Sequence, residues 1–260
     1  MISLDYHIHG HELQYIEFQL RPGEEVFAEA GALMFMSGNV EMNTEVDTGS
    51  SGGIIARLFS VGKRYLSGES IFVVHFRHSG GGGVGKVAFA APYPGCIVPI
   101  EMGRLGKLHC QKDSFLCSSA GIEIGASLTK KAGAGLLAGE GFVLQEISGD
   151  GIVFVHAGGS IHSTFLGEGE SLKVDSGCVV GFQDSVDFDI EFVGSATSAL
   201  FGGEGIFFAH LRGPGLVFIQ SLPFSRFADR LIRAASSGGG NDSGETSILG
   251  RRLLRNTKAA

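Results

Sequence analysis

Alternation between apolar and polar positions is visible in two stretches of the chain. In Val186-Asp187-Phe188-Asp189-Ile190-Glu191-Phe192 the four apolar side chains share one face and the three carboxylates share the other. Val40-Glu41-Met42-Asn43-Thr44-Glu45-Val46 follows a similar alternation. A period of two predicts antiparallel strands with one buried face and one solvated face.

A longer pattern recurs three times. It reads Gly68-Glu69-Ser70-Ile71-Phe72-Val73-Val74-His75, then Gly139-Glu140-Gly141-Phe142-Val143-Leu144-Gln145-Glu146, then Gly203-Glu204-Gly205-Ile206-Phe207-Phe208-Ala209-His210. An apolar run beginning with Gly follows each copy, at Gly85, Gly151 and Gly215. Strand, turn and strand, with eleven residues from Glu to Gly in the second and third copies and sixteen in the glycine-enlarged first, predict an internal repeat of hairpins. Ala30-Gly31-Ala32-Leu33, Ala120-Gly121-Ile122-Glu123 and Ser176-Gly177-Cys178-Val179 read as a second landmark in each repeat. Glycine there predicts a bulge or a close backbone approach.

These landmarks predict an all-β protein. Residues 1–222 divide into three degenerate repeats, at about 10–105, 106–166 and 167–222, that form one unit. Within the first repeat, Ile54 to Leu66 suits a short helix after a glycine-rich lead. Pro223 to Ala235 reads as a C-terminal helix, with Phe227, Leu231 and Ala235 on one side and Asp229 four residues before Arg233. Residues 236–260 read as a flexible tail carrying Arg251, Arg252, Arg255 and Lys258.

Composition agrees and narrows the function. The chain has 260 residues with 42 Gly, 20 Phe and no Trp, which suits short strands and tight turns. A formal charge of −7 argues against nucleic acid as a partner, because phosphate contacts need an excess of Lys and Arg. There is no apolar run long enough to span a bilayer as a helix and no secretory pattern at the start. Cys96, Cys110, Cys117 and Cys178 form no CxxC or zinc-type spacing, so free thiols in a cytoplasmic protein are expected.

Several motifs suggest chemistry. Gly80 to Lys86 satisfies both G-x-x-x-x-G-K and G-x-G-x-x-G, yet Val87 follows the lysine and the next segment reads as strand. Phosphate loops feed a helix N-terminus, so this one reads as an enlarged hairpin turn. His7, His9 and His11 alternate and read as an exposed edge strand. His75, Glu146 and His210 each stand six residues after the repeated Glu. About a pseudo-threefold axis they would converge as two imidazoles and one carboxylate, a metal-binding set. The repeated Glu69, Glu140 and Glu204 read as turn carboxylates that accept backbone N–H bonds. No G-x-S-x-G elbow is present, and His109, His156 and His162 have no recognisable nucleophile partner.

Ala30 to Leu33 with the following Met34-Phe35-Met36, Ser67-Gly68-Glu69-Ser70, and Gly203-Glu204-Gly205 resemble the altered-inheritance-of-mitochondria 24 family. The resemblance covers about residues 10–225. It implies a fold like that of the trp RNA-binding attenuation protein: tandem units of the double-stranded β-helix or β-sandwich type, assembled as a homo-trimer. It implies no catalytic residue. The family's mitochondrial branch is associated with inner-membrane organisation, which implies a scaffold that could sit at a membrane surface. RNA binding is not carried over, since fold does not set function.

The reading is therefore a non-enzymatic, oligomeric binding or assembly protein, cytoplasmic and able to lie against the inner membrane, without a cofactor. Its first partner is a second copy of itself, and a protein or membrane surface is the further partner. Two alternatives remain: a metal-dependent enzyme using His75, Glu146 and His210, and a peripheral membrane protein using Ile54 to Leu66 and the basic tail.

Overall fold

The computed structural model describes residues 4–29, 31–43, 73–125, 128–129, 143–193 and 206–237. The expectation of an all-β protein holds. Twenty strands lie among the described residues, with one four-residue α-helical turn, two 3-10 turns and one C-terminal helix.

The strands fall into three runs. The first holds β1 (Asp5–His9), β2 (Tyr15–Leu20), β3 (Glu25–Glu29), β4 (Leu33–Met36), β5 (Val40–Asn43), β6 (Val73–His78) and β7 (Gly85–Ala90). The second holds β8 (Gly95–Glu101), the helical turn α1 (Met102–Leu105), β9 (Leu108–Gln111), β10 (Phe115–Ser119), β11 (Ile122–Ile124), β12 (Leu128–Thr129), β13 (Val143–Gly149) and β14 (Ile152–Gly158). The third holds β15 (Ile161–Leu166), β16 (Ser171–Asp175), β17 (Val179–Gln183), β18 (Asp187–Val193), β19 (Ile206–Arg212) and β20 (Gly215–Gln220), followed by α2 (Phe224–Ser237).

One antiparallel pairing scheme serves all three runs. The last strand of each run lies between the first and third of its six core strands: β7 between β2 and β4, β14 between β8 and β10, and β20 between β15 and β17. The fifth lies between the second and fourth: β6 between β3 and β5, β13 between β9 and β11, and β19 between β16 and β18. Each third strand also carries a bulge at the same step, between Leu33 and Phe35, Phe115 and Cys117, and Val179 and Gly181. A bulge adds local twist, which lets a strand leave one sheet's plane for its neighbour.

The runs are stitched by two further pairings. β3 pairs with β10, and β9 pairs with β17. Each composite sheet therefore joins half of one run to half of the next. The core follows the same logic. Phe18, Phe76 and Phe89 of the first run pack with Leu116, Cys117 and Phe154 of the second. Val180 and Phe218 of the third run close the second run's cluster around Leu108, Phe115 and Ile147.

Pairing moves two boundaries relative to the sequence grouping. β8 pairs with β14 and β15 pairs with β20, so residues 95–101 and 161–166 belong with the runs that follow them. The second landmark also shifts. Gly31 and Gly177 lie just before third strands, but Gly121 lies after β10, between β10 and β11. Lys112–Ser114 before β10 and Ser176–Cys178 before β17 each form a 3-10 turn, and in the second run α1 replaces the tight turn that precedes the second strand elsewhere.

The C-terminal helix is observed at Phe224–Ser237, close to its predicted span. Phe224 packs its ring on Tyr93 at 5.1 Å, and Arg226 reaches Asp175 at 3.1 Å. Ile54 to Leu66, Glu69, Glu140, Glu204 and residues 238–260 lie outside the described residues, as do the small-residue connections that precede the repeated Gly-Glu step.

Candidate functional site

The fifth strand of each run places His75, Glu146 and His210 at one equivalent cross-strand position. His75 stands opposite Phe27, Glu146 opposite His109, and His210 opposite Lys173. The three lie in three different sheets, and the structure does not gather them around one point. Each is engaged locally instead. The His75 ring meets Phe27 edge-on at 4.2 Å. Glu146 accepts from Lys107 Nζ at 2.8 Å. His210 Nε2 lies 2.6 Å from Glu191, and the Lys173 ammonium is 3.6 Å from the same carboxylate. The hydrogen bond with His210, then the charge of Lys173, hold the Glu191 carboxyl below its usual range. Cross-strand pairing, a unit of sheet stabilisation, accounts for the recurring polar position.

Glu146 does join a different group. His109, Glu146 and Asp184 bring one donor atom each within 4.8 Å of one another. His109 sits on β9, Glu146 on β13 and Asp184 in the turn after β17, so the group forms where the second and third runs are stitched. His109 is buried and its Nε2 lies 2.7 Å from Asp184 Oδ1. A groove of about 340 Å³ opens beside it, lined by His109, Leu144, Phe182, Asp184, Val186 and Phe188. Phe182 and Phe188 stack at 4.9 Å along its wall.

One imidazole and two carboxylates form a donor set of a kind that divalent cations use. Here Lys107 already balances Glu146, and that carboxylate raises the Lys107 ammonium pKa above its ordinary value. Sequence reading did not connect His109 to Asp184. Their proximity follows from the β9–β17 register, in which His109 faces Phe182, two residues before Asp184.

The other junction has a different electrostatic character. Burial, with the charge of Asp113 adding to it, lifts Glu29 to about 7. Burial first, then Asp113 and Glu29, pushes Tyr93 to about 12. His156, edge-on to Tyr93 at 4.4 Å, is held down to about 4 by burial. Each junction holds a buried free thiol, Cys117 at β3–β10 and Cys110 at β9–β17, and burial pushes both above their ordinary values, Cys110 to about 12. Thiols in that state are poor nucleophiles.

The loop from Gly80 joins β6 to β7, which pair in different sheets, so it is a connection between sheets and not the expected hairpin turn, and Gly85 and Lys86 open β7. A strand thus follows the loop, and Lys86 Nζ pairs with Glu17 at 2.8 Å, so the loop lacks the helix terminus that phosphate binding uses. His7 and His9 lie on β1, at the edge of the first sheet. No helix among the described residues is long and apolar enough to cross a membrane.

The sequence profile of the mitochondrial biogenesis AIM24 family matches residues 6–222. The chain belongs to that family. The AIM24 match takes in every strand from β2 to β20 and ends before α2, which places the C-terminal helix outside the family's shared part. An uncharacterized protein of Streptococcus pyogenes serotype M6 is 28% identical over 219 residues, covering 84% of this chain and 85% of the relative. A crystal structure of a Streptococcus pyogenes protein superposes with a TM-score of 0.69 at 25% identity, over 89% of this chain and 100% of the other.

Proposed function

We propose that this AIM24-family chain is a non-enzymatic assembly protein, made of three copies of one six-strand unit, that works as a homo-oligomer and presents a composite surface to a protein or membrane partner. One observation carries the reading. β4 leaves Met34, Phe35 and Met36 exposed on an edge strand, and a long-lived apolar edge is a liability unless something covers it. The engagement of His75, Glu146 and His210 in local pairs supports a construction role for the polar positions over a catalytic one. Light scattering over a range of concentrations tests this. A multiple of 27.3 kDa is expected, the trimer being the state that the family resemblance implies. A monomer at tens of micromolar overturns it.

A second reading rests on the His109, Glu146 and Asp184 group, whose donor atoms lie within 4.8 Å. In it a divalent cation displaces Lys107 and pins the second and third runs together. Elemental analysis with a zinc or manganese titration tests it. Stoichiometric metal lost on Asp184→Asn supports this reading, and metal-free protein that takes up none removes it.

A further inference from the structure

The three third strands, β4, β10 and β17, are structural equivalents, aligned by their bulges. Met34, Phe35 and Met36 therefore correspond to Leu116, Cys117 and Ser118 and to Val180, Gly181 and Phe182. The equivalents are sealed: Leu116, Cys117 and Ser118 are 1%, 0% and 2% exposed, and Val180 and Phe182 are 1% and 3%. On β4 the same positions are 54%, 39% and 41% exposed.

What lies alongside β10 and β17 is also equivalent. In both cases it is the second strand of the preceding run, β3 for β10 and β9 for β17. β4 belongs to the first of the three described runs. Among the described residues it pairs only with β7 and ends its sheet. β16 is the complementary loose end. It is the second strand of the third run, it pairs only with β19, and among the described residues no following run meets its outer edge.

We infer that β16 of one copy pairs with β4 of a second copy, repeating between chains the joint that stitches the runs within a chain. This rests on the proposed assembly role and names the surface that role uses. The partner is a second copy because this chain already makes that joint twice with its own strands. The contact is head-to-tail, since the two edges differ, and such contacts close into rings when the rotation allows. The trimer implied by the family resemblance is one such ring.

The register follows from the internal joints. Phe27 faces Ser118 and His109 faces Phe182. Lys173 is the third-run equivalent of Phe27 and His109, because each stands opposite the His75, Glu146 or His210 position. Met36 is the equivalent of Ser118 and Phe182. Lys173 of one copy therefore faces Met36 of the next, and Val174 faces Phe35. The Lys173 stem lies along the methionine while its ammonium stays with Glu191, the usual compromise for a long cationic side chain.

The register makes a sharp test. Met36→Cys and Lys173→Cys are made in separate chains, mixed and oxidised mildly, with the parent chain as reference for its own four cysteines. Directly opposed strand positions bring Cα atoms within disulfide range. A cross-linked species of twice 27.3 kDa is expected in the mixture and in neither variant alone. A link within the Met36→Cys sample alone indicates a symmetric face and overturns the pairing. An oligomer by light scattering that gives no cross-link places the assembly elsewhere and overturns it while leaving the proposed function standing. A monomer by scattering overturns both. In parallel, Phe35→Lys with Met36→Lys changes only positions exposed in the single chain. It is expected to reduce the scattering mass to one chain with an unchanged circular dichroism spectrum, and an unchanged mass overturns the inference.

Discussion

β4 and β10 are one strand in two settings. Both carry a bulge at the same step and both pair with the last strand of their run. β10 has β3 on its other side and is buried along its length, whereas β4 ends a sheet and exposes three large apolar side chains. Sequence character tracks neighbourhood only loosely. Leu-Met-Phe-Met on the open strand is more apolar than Phe-Leu-Cys-Ser-Ser on the closed one. A strand built for solvent would carry charge or proline at an edge. β4 carries neither.

The largest expected effect separates the two settings directly. Leu116→Ala removes a fully buried side chain between two runs and is expected to cost about 2–5 kcal/mol. Met34→Ala, at the equivalent position, is expected to cost under about 1 kcal/mol in dilute protein. Urea denaturation at low concentration checks both. Equal losses would mean that β4 is covered within the single chain, and the comparison would collapse.

A second effect concerns how tightly the joints close. Gly181 occupies the position of Phe35 and Cys117, but a Cβ there would stand 2.8 Å from the His109 carbonyl oxygen of β9. Gly181→Ala is expected to cost about 1–3 kcal/mol through overpacking against backbone. The β9–β17 joint then approaches more closely than the β3–β10 joint, where Cys117 is accommodated. A neutral Gly181→Ala in thermal or denaturant unfolding would show that the joint yields.

A third effect is in pH. At the β3–β10 joint Glu29 titrates at about 7 in the fold against 4.5 unfolded, so the folded chain holds the proton more tightly. Stability from this group is full below about 4.5 and declines as pH rises toward about 7. His156 works in the opposite sense. Its value falls from 6.5 to about 4, so its stability is full above about 6.5 and is lost as pH drops through about 4. Melting temperatures between pH 4 and 8 are expected to respond less to pH than either group alone would dictate. Glu29→Gln should leave stability that rises with pH across that window, through His156. A Glu29→Gln profile that overlays the parent's would remove the buried carboxyl from the account. The open β4 edge has no such carboxyl pair among the described residues.

Much of this architecture was legible in the sequence because strands and turns leave local marks, although the strands on either side of each repeated turn pair in different sheets and form no hairpin. The apolar runs from Gly85, Gly151 and Gly215 mark the last strand of each run, and Val186 to Phe192 covers all but the final residue of β18. The equivalence of His75, Glu146 and His210 was also readable, since it depends on spacing within one strand. Their convergence was not, because it depends on how three sheets are disposed. The Gly121 landmark misled for a physical reason: the second run enters its third strand through Lys112–Ser114, which has no glycine, so the matching Ala-Gly step fell in the next turn, one strand along. The joints β3–β10 and β9–β17 left no local mark. They link residues about 90 and 70 apart, and only pairing reveals them. His109 with Asp184 escaped notice for the same reason.

The smallest expected effect probes whether α2 screens the β16 edge. Arg226 of α2 pairs with Asp175, the last residue of β16, and both side chains are half exposed. Such a pair contributes under about 1 kcal/mol, so Arg226→Ala should barely move the unfolding midpoint. Asp175 also accepts from the Gly177 backbone N–H at 3.0 Å, which holds the strand end without the arginine. If β16 is open to a second copy, Arg226→Ala leaves the scattering mass and its concentration dependence unchanged. Tighter association in that variant would mean that α2 competes with the incoming β4 and that the two open edges of this chain are not equally open.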